Sequence, residues 1–109
     1  MLDIGDEAAK VVAELISNKN CKVKDLKLTK TNIADEGSIQ IFKALESNIS
    51  IVNFNISKNL ISDKSLESIV NCMKINKSIK VLNLSLNLFS SSTKDKLKYT
   101  PKNSIKLIL

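Results

Sequence analysis

Apolar residues recur at a fixed interval in this chain, and no other feature constrains its fold as strongly. The stretch "IVNFNISKNLIS" at 51–62 falls on "VKDLKLTKTNIA" at 23–34 when moved back 28 positions, and on "IKVLNLSLNLFS" at 79–90 when moved forward by 28. Four apolar columns result: Val23, Ile51, Ile79; Leu26, Phe54, Leu82; Leu28, Ile56, Leu84; and Ile33, Ile61, Phe89. Between the last two lies a polar column, Thr31, Asn59, Asn87. Steps of three, two and five fit neither a helix period nor a simple alternating strand. Self-similarity at such a period marks stacked supersecondary units.

Helical columns follow each apolar stretch. Leu66, Ile69, Val70 and Met73 lie at i, i+3, i+4 and i+7, one face of a helix. Ser38, Ile41, Phe42 and Leu45 occupy the same columns one unit earlier. A shift of 29 brings Asp6, Ala9, Val12, Ala13 and Ile16 into register, which predicts a further helix over 6–18 before the first strand. Asp35 and Asp63 precede the helical columns and are expected to be N-caps. Each unit therefore reads strand, turn, helix. Such a unit cannot bury its apolar side alone, and stacking neighbours closes one continuous core. Parallel strands are spaced about 4.8 Å apart and helices are about 10 Å thick, so the helical side is expected to splay and the array to curve around its strands.

Written as a consensus, the columns give L-x-x-L-x-L-x-x-N-x-L, with Thr31 departing from the asparagine of the other two copies. On these residues, over about 4–90, the chain resembles the leucine-rich-repeat family, in its ribonuclease-inhibitor-like subclass. The resemblance implies an α/β fold: a right-handed leucine-rich-repeat solenoid with short parallel strands on the concave side and helices on the convex side. One domain over 1–109 is expected. It would comprise a helix-only N-terminal part at 1–22, repeats starting at 23, 51 and 79, and an irregular C-terminal cap at 92–109, where "SIKLIL" reads as a final strand. Asn59 and Asn87 are expected to turn inward, where an amide can both donate and accept between successive units. Cys72 aligns with Ala44 and is expected to be a small core residue.

Composition narrows the function. All 17 basic residues are lysines, histidine is absent, and the formal charge is +6. Without arginine, bidentate grips on phosphate or carboxylate are missing. No histidine can serve as general base, and no Gly-rich phosphate loop or metal-ligand cluster is legible. The acidic pairs Asp6–Glu7 and Asp35–Glu36 suit helix N-termini. An enzyme is therefore not expected, and no catalytic, cofactor-binding or metal-binding residue is assigned. No apolar run reaches the length of a membrane span, and the two cysteines form no disulfide framework. A cytoplasmic location without membrane contact is the resulting expectation.

The surviving functional surface is the strand face, which leucine-rich repeats commonly offer to partners. Its non-core positions hold Lys24, Asp25, Lys27, Thr29 and Lys30 in the first unit; Val52, Asn53, Asn55, Ser57 and Lys58 in the second; and Lys80, Val81, Asn83, Ser85 and Leu86 in the third. Five lysines against one aspartate place +4 of the net charge on this face. The candidate partner-binding residues are Lys24, Lys27, Lys30, Asn55, Ser57, Lys58, Lys80, Asn83 and Ser85. They point to a scaffold or adaptor subunit that docks an acidic protein surface or segment, within a larger assembly or alone. The bland alternative is that these lysines only keep the strand surface soluble and block edge pairing. A second functional reading is a piece of a longer regulatory protein, GTPase-regulating or immune-receptor-like. Nucleic acid is disfavoured, because Phe42, Phe54 and Phe89 all fall in core columns and leave no stacking platform.

Overall fold

A short strand and a helix alternate along the chain. The computed structural model describes residues 5–101 and 104–109; the start of the expected 1–22 part and residues 102–103 of the expected cap lie outside the described residues. In order, the elements are α1 (Gly5–Ser17), β1 (Asp25–Lys27), α2 (Asp35–Leu45), β2 (Asn53–Asn55), a 3-10 turn (Asp63–Ser65) leading into α3 (Leu66–Ile75), β3 (Val81–Asn83), α4 (Ser91–Tyr99) and β4 (Lys106–Ile108). The strands form one parallel sheet in the order β1-β2-β3-β4. Leu26 pairs with Phe54 and Phe54 with Leu82, so residues 28 apart are strand neighbours. Leu82 pairs with Leu107, a step of 25, so the last connection is three residues shorter.

The core lies between the sheet and the helices. Ile51, Phe54, Ile56 and Ile61, with their third-unit counterparts Ile79, Leu82, Leu84 and Phe89, are buried. They meet Ala9 and Ile16 of α1, Ile41, Phe42 and Leu45 of α2, and Ile69, Cys72 and Met73 of α3 in one cluster. Phe42 stands edge-on to Phe54 at 5.8 Å between ring centres and joins α2 to β2. Burial disfavours the charged form of Cys72 and, with Glu46 nearby, pushes its thiol up to about 12, so it is a core residue.

The helix N-termini are capped differently from expectation. Asp35 and Asp63 do not precede their helical segments; each is the first residue of one, after Ala34 and Ser62. Each carboxylate instead reaches forward to the next unit. Asp6 accepts from the Ala34 and Gly37 N–H groups at 2.9 and 3.1 Å. Asp35 accepts from Ser62 N–H at 2.9 Å and from the Ser62 and Ser65 hydroxyls at 2.5 and 2.6 Å. Asp63 accepts from Ser90 N–H at 2.8 Å. At the starts of α2, the 3-10 turn and α4, one or two backbone donors are thus satisfied by the aspartate of the preceding helical segment.

Two asparagine ladders tie the other corners. Asn59 Oδ1 accepts from the Thr31 and Ile33 N–H groups, each at 3.1 Å, while Nδ2 donates to the carbonyls of Leu28, Ile56 and Ser57. Asn87 makes the same kind of bridge to Ile61 N–H and the carbonyls of Ile56, Leu84 and Ser85. A second pair, Asn48 and Asn76, fills the turns before the strands. Asn76 donates to Leu45 and Asn48 carbonyls and accepts from Ser78 and Ile79 N–H.

Two expectations are corrected by this geometry. The expected right-handed leucine-rich-repeat solenoid, with strands on a concave side and helices on a convex side, is replaced by a compact domain. Three strand-to-strand steps of about 4.8 Å span only about 15 Å, too few for an array longer than it is broad. The molecule measures 37 × 35 × 18 Å, and its radius of gyration is 12.6 Å, against about 13 Å for a compact domain of this length. The described residues form a compact α/β domain of four α-helices and one four-stranded parallel sheet. The 92–109 segment is also not irregular: α4 buries Thr93 and Leu97, Ser90 Oγ caps it by accepting from Thr93 N–H at 3.2 Å, and β4 joins the sheet.

Candidate functional site

Strand pairing in register turns the sheet's open side into rows of side chains. One row runs Asp25, Asn53, Val81, Lys106; the next runs Lys27, Asn55, Asn83, Ile108. All of these but Lys106 line a shallow groove of about 360 Å³ across the sheet. Asn53 donates to Asp25 at 2.6 Å, which holds the one carboxylate of the face against its neighbour. The Asn55 and Asn83 side-chain carbonyls are turned toward their own turns, accepting from Ser57 and Ser85 N–H at 3.0 Å each.

Lysines surround this groove. Lys24 and Lys80 stand at the strand entrances and Lys30 and Lys58 at the exits, all exposed. The exits are built on left-handed backbone: φ is 55° at Lys30, 59° at Lys58 and 57° at Leu86, the same column in three units. None of the three is glycine, so each carries the steric cost of that conformation. Lys30 N–H donates to the Lys58 carbonyl and Lys58 N–H to the Ser85 carbonyl, which holds the exits in line.

Eight of the nine residues expected on this face are at least partly accessible there. Ser57 is the exception. It is buried, 4% exposed, because the turn closes over it through Asn55 and Asn59. Sequence reasoning missed Lys106 and Ile108, which extend the two rows by one strand. The alternation in "SIKLIL" carried the signal, but the 25-residue step hid its register. Exposed apolar residues also flank the exits: Leu60, Leu86 and Leu88, the last two 69% and 60% exposed.

On the helical side, Lys10, Glu14, Gln40 and Lys43 line a broad groove between α1 and α2. Lys10 pairs with Glu36 at 3.7 Å; both side chains are more than half exposed, so the pair contributes little. Among the described residues no group of three or more Cys, Asp or Glu side chains converges as a metal site, and no helix is long and apolar enough to cross a membrane.

No family model matches the chain, and no curated protein matches it. Among solved structures it is similar to one titled Leiomodin-1 Actin-Binding Site 2 (ABS2), with a TM-score of 0.83 and 19% sequence identity. The match covers 94% of this chain and 62% of that one, so the chain spans less than two thirds of its structural neighbour. The leucine-rich-repeat assignment drawn from the L-x-x-L-x-L-x-x-N-x-L pattern is corrected by this neighbour, whose likeness at such identity shows the fold alone.

Proposed function

We propose that the domain is a non-catalytic protein-binding module that docks an acidic partner surface on the open side of its sheet. The observation that carries this reading is the concentration of charge there. Six lysines, Lys24, Lys27, Lys30, Lys58, Lys80 and Lys106, surround a groove whose one carboxylate, Asp25, is engaged by Asn53. A single-sign field of this kind steers an oppositely charged partner and sets its orientation. The groove is lined by the amides of Asn53, Asn55 and Asn83 together with Leu26, Phe54, Val81 and Ile108, without the tryptophan, tyrosine or arginine that dominate strong contacts. Binding there is spread over many modest contacts and is sensitive to salt.

The structural neighbour is titled an actin-binding site, which makes actin the first partner to test. The experiment measures binding of the chain to monomeric and filamentous actin, and to poly-glutamate as a generic acidic chain, at low and moderate salt. Replacing Lys27, Lys30 and Lys58 by glutamate should abolish binding while leaving the thermal melt close to wild type. Unchanged binding by that variant rejects the sheet face. Binding to poly-glutamate but to neither form of actin keeps the face and removes actin.

A further inference from the structure

The strand exits carry apolar surface beside their lysines. Leu86 and Leu88 of the third exit loop are 69% and 60% exposed, and Leu60 of the second is 42% exposed. None of the three joins the core cluster. Their loops are held side by side: Lys58 N–H donates to the Ser85 carbonyl, Leu60 N–H to the Ile33 carbonyl and Leu88 N–H to the Ile61 carbonyl. A single exposed leucine needs no explanation, but three on two hydrogen-bonded loops gather apolar surface in one place.

Stacking does not require leucine at these positions. Lys30 and Lys58 stand in the column of Leu86, and Asn32 stands in the column of Leu60 and Leu88. Lys58 and Leu60 are exposed although an exit loop lies on either side of theirs, so both columns face water with neighbours in place. Leu86 is unfavourable there on two counts. Its φ of 57° crowds the β-carbon, and its side chain lies in water. An asparagine would tolerate that backbone and hydrate better.

Charge sets the order of the surface. Along the exits the column reads Lys30, Lys58, Leu86, at about 4.8 Å per strand, so two lysines are followed within about 10 Å by a leucine. The aspartates that follow the exits, Asp35 and Asp63, are turned to Ser62, Ser65 and Ser90.

We propose that the exits complete the partner site and that the partner's docking element is an amphipathic acidic protein segment. Its carboxylates meet Lys30 and Lys58, and its apolar side chains cover Leu60, Leu86 and Leu88. A purely acidic chain would leave the leucines wet, and a purely apolar one would leave the lysines without counter-charge. This docking presupposes that the open side of the sheet is the binding face, and it adds the chemical class of the partner.

Fluorescence anisotropy with two labelled peptides tests it: poly-glutamate, and a mixed Glu-Leu peptide with the same number of glutamates. The full chain should bind the Glu-Leu peptide about tenfold more tightly. A Leu86→Asn, Leu88→Ser double variant should lose that preference, bind poly-glutamate as the wild type does, and melt at or above the wild-type temperature. Replacing Lys27, Lys30 and Lys58 by glutamate should lose both peptides. If neither peptide binds the wild type, the docking face itself is wrong. If poly-glutamate binds equally well, or the leucine variant keeps the preference, the exit surface alone is overturned and the face stands. Vesicles of phosphatidylcholine and phosphatidylserine form a third arm. Vesicle binding that needs the leucines, with no preference between the peptides, assigns the surface to lipid and also overturns the proposal.

Discussion

Replacing Asn59 by alanine tests whether the interior amides hold the units together. The side chain is 5% exposed and bridges two units with both of its polar atoms. Its loss strands Thr31 and Ile33 N–H, which lose an acceptor at 3.1 Å each, and removes a donor from the carbonyls of Leu28, Ile56 and Ser57. A buried donor left without a partner costs about 1–3 kcal/mol. With Thr31 N–H at the low end, about 1 kcal/mol, because water reaches it, the buried Ile33 N–H at about 2 kcal/mol, and the carbonyls keeping a second lone pair, the sum is about 3 kcal/mol. A domain of this size has about 5–15 kcal/mol of stability in all. Asn87 is half-buried and accepts from one N–H, Ile61, so its alanine variant should lose about half as much. Urea unfolding followed by far-UV circular dichroism reads both, with slopes unchanged if the folded state is the same. A loss below about 1 kcal/mol for Asn59→Ala, or a larger loss at Asn87 than at Asn59, would refute the bridging account.

Burial works against the charge of Asp35, but the Ser62 and Ser65 hydroxyls and Ser62 N–H outweigh it, so its carboxyl stays below the ordinary value. A folded value below the unfolded one gives stability that is present above about pH 4 and lost as pH falls through the folded value. The melting temperature should therefore drop on acidification, and Asp35→Asn should start lower at neutral pH and lose less on the way down. Two neighbouring residues should respond oppositely to alanine. A Cβ on Gly37 would lie 2.7 Å from Ala9 Cβ and from Asp6 Oδ1, so Gly37→Ala should push α1 from α2 and lower stability by about 1–3 kcal/mol despite its helix propensity. Ser38 Oγ is buried and has no hydrogen-bond partner among the described residues, so Ser38→Ala should raise stability by about 1 kcal/mol in the same unfolding assay.

The strand columns were legible because burial imposes them. A residue facing the core at Leu26 needs counterparts at Phe54 and Leu82, and pairing in register leaves no other solution. The inward asparagines were legible for a related reason: a turn that lacks strand partners needs a group that donates and accepts. The reach of the aspartates was not. A carboxylate before a helical pattern suits its own helix in any single sequence, and only the stacking brings Ser62 closer to Asp35 than its own N-terminus. Ser57 was misplaced because strand alternation was carried one residue too far, into a turn that folds over it. The last strand was seen, but its place in the sheet depends on a shortened connection that no column revealed.

Departures from the columns fall where a neighbour is lacking. Asn59 and Asn87 reach back to the unit before, and Asp6, Asp35 and Asp63 reach forward to the unit after. Thr31 stands in the asparagine column of β1, the outer strand, where no earlier strand among the described residues offers carbonyls to bridge; its hydroxyl donates to Leu28, within its own unit. Ser91 stands in the aspartate column of α4, where no further helix among the described residues offers N–H groups to cap. A polar group that is buried without partners is costly, so in the Thr31–Asn59–Asn87 and Asp6–Asp35–Asp63–Ser91 columns the long side chain stands where it meets a second unit among the described residues. The corners that join units are thereby distinct from the rows on the open face. Lys27, Lys30 and Lys58 take no part in any ladder through their side chains, which is why their charge can be reversed to test binding with the stacking left in place.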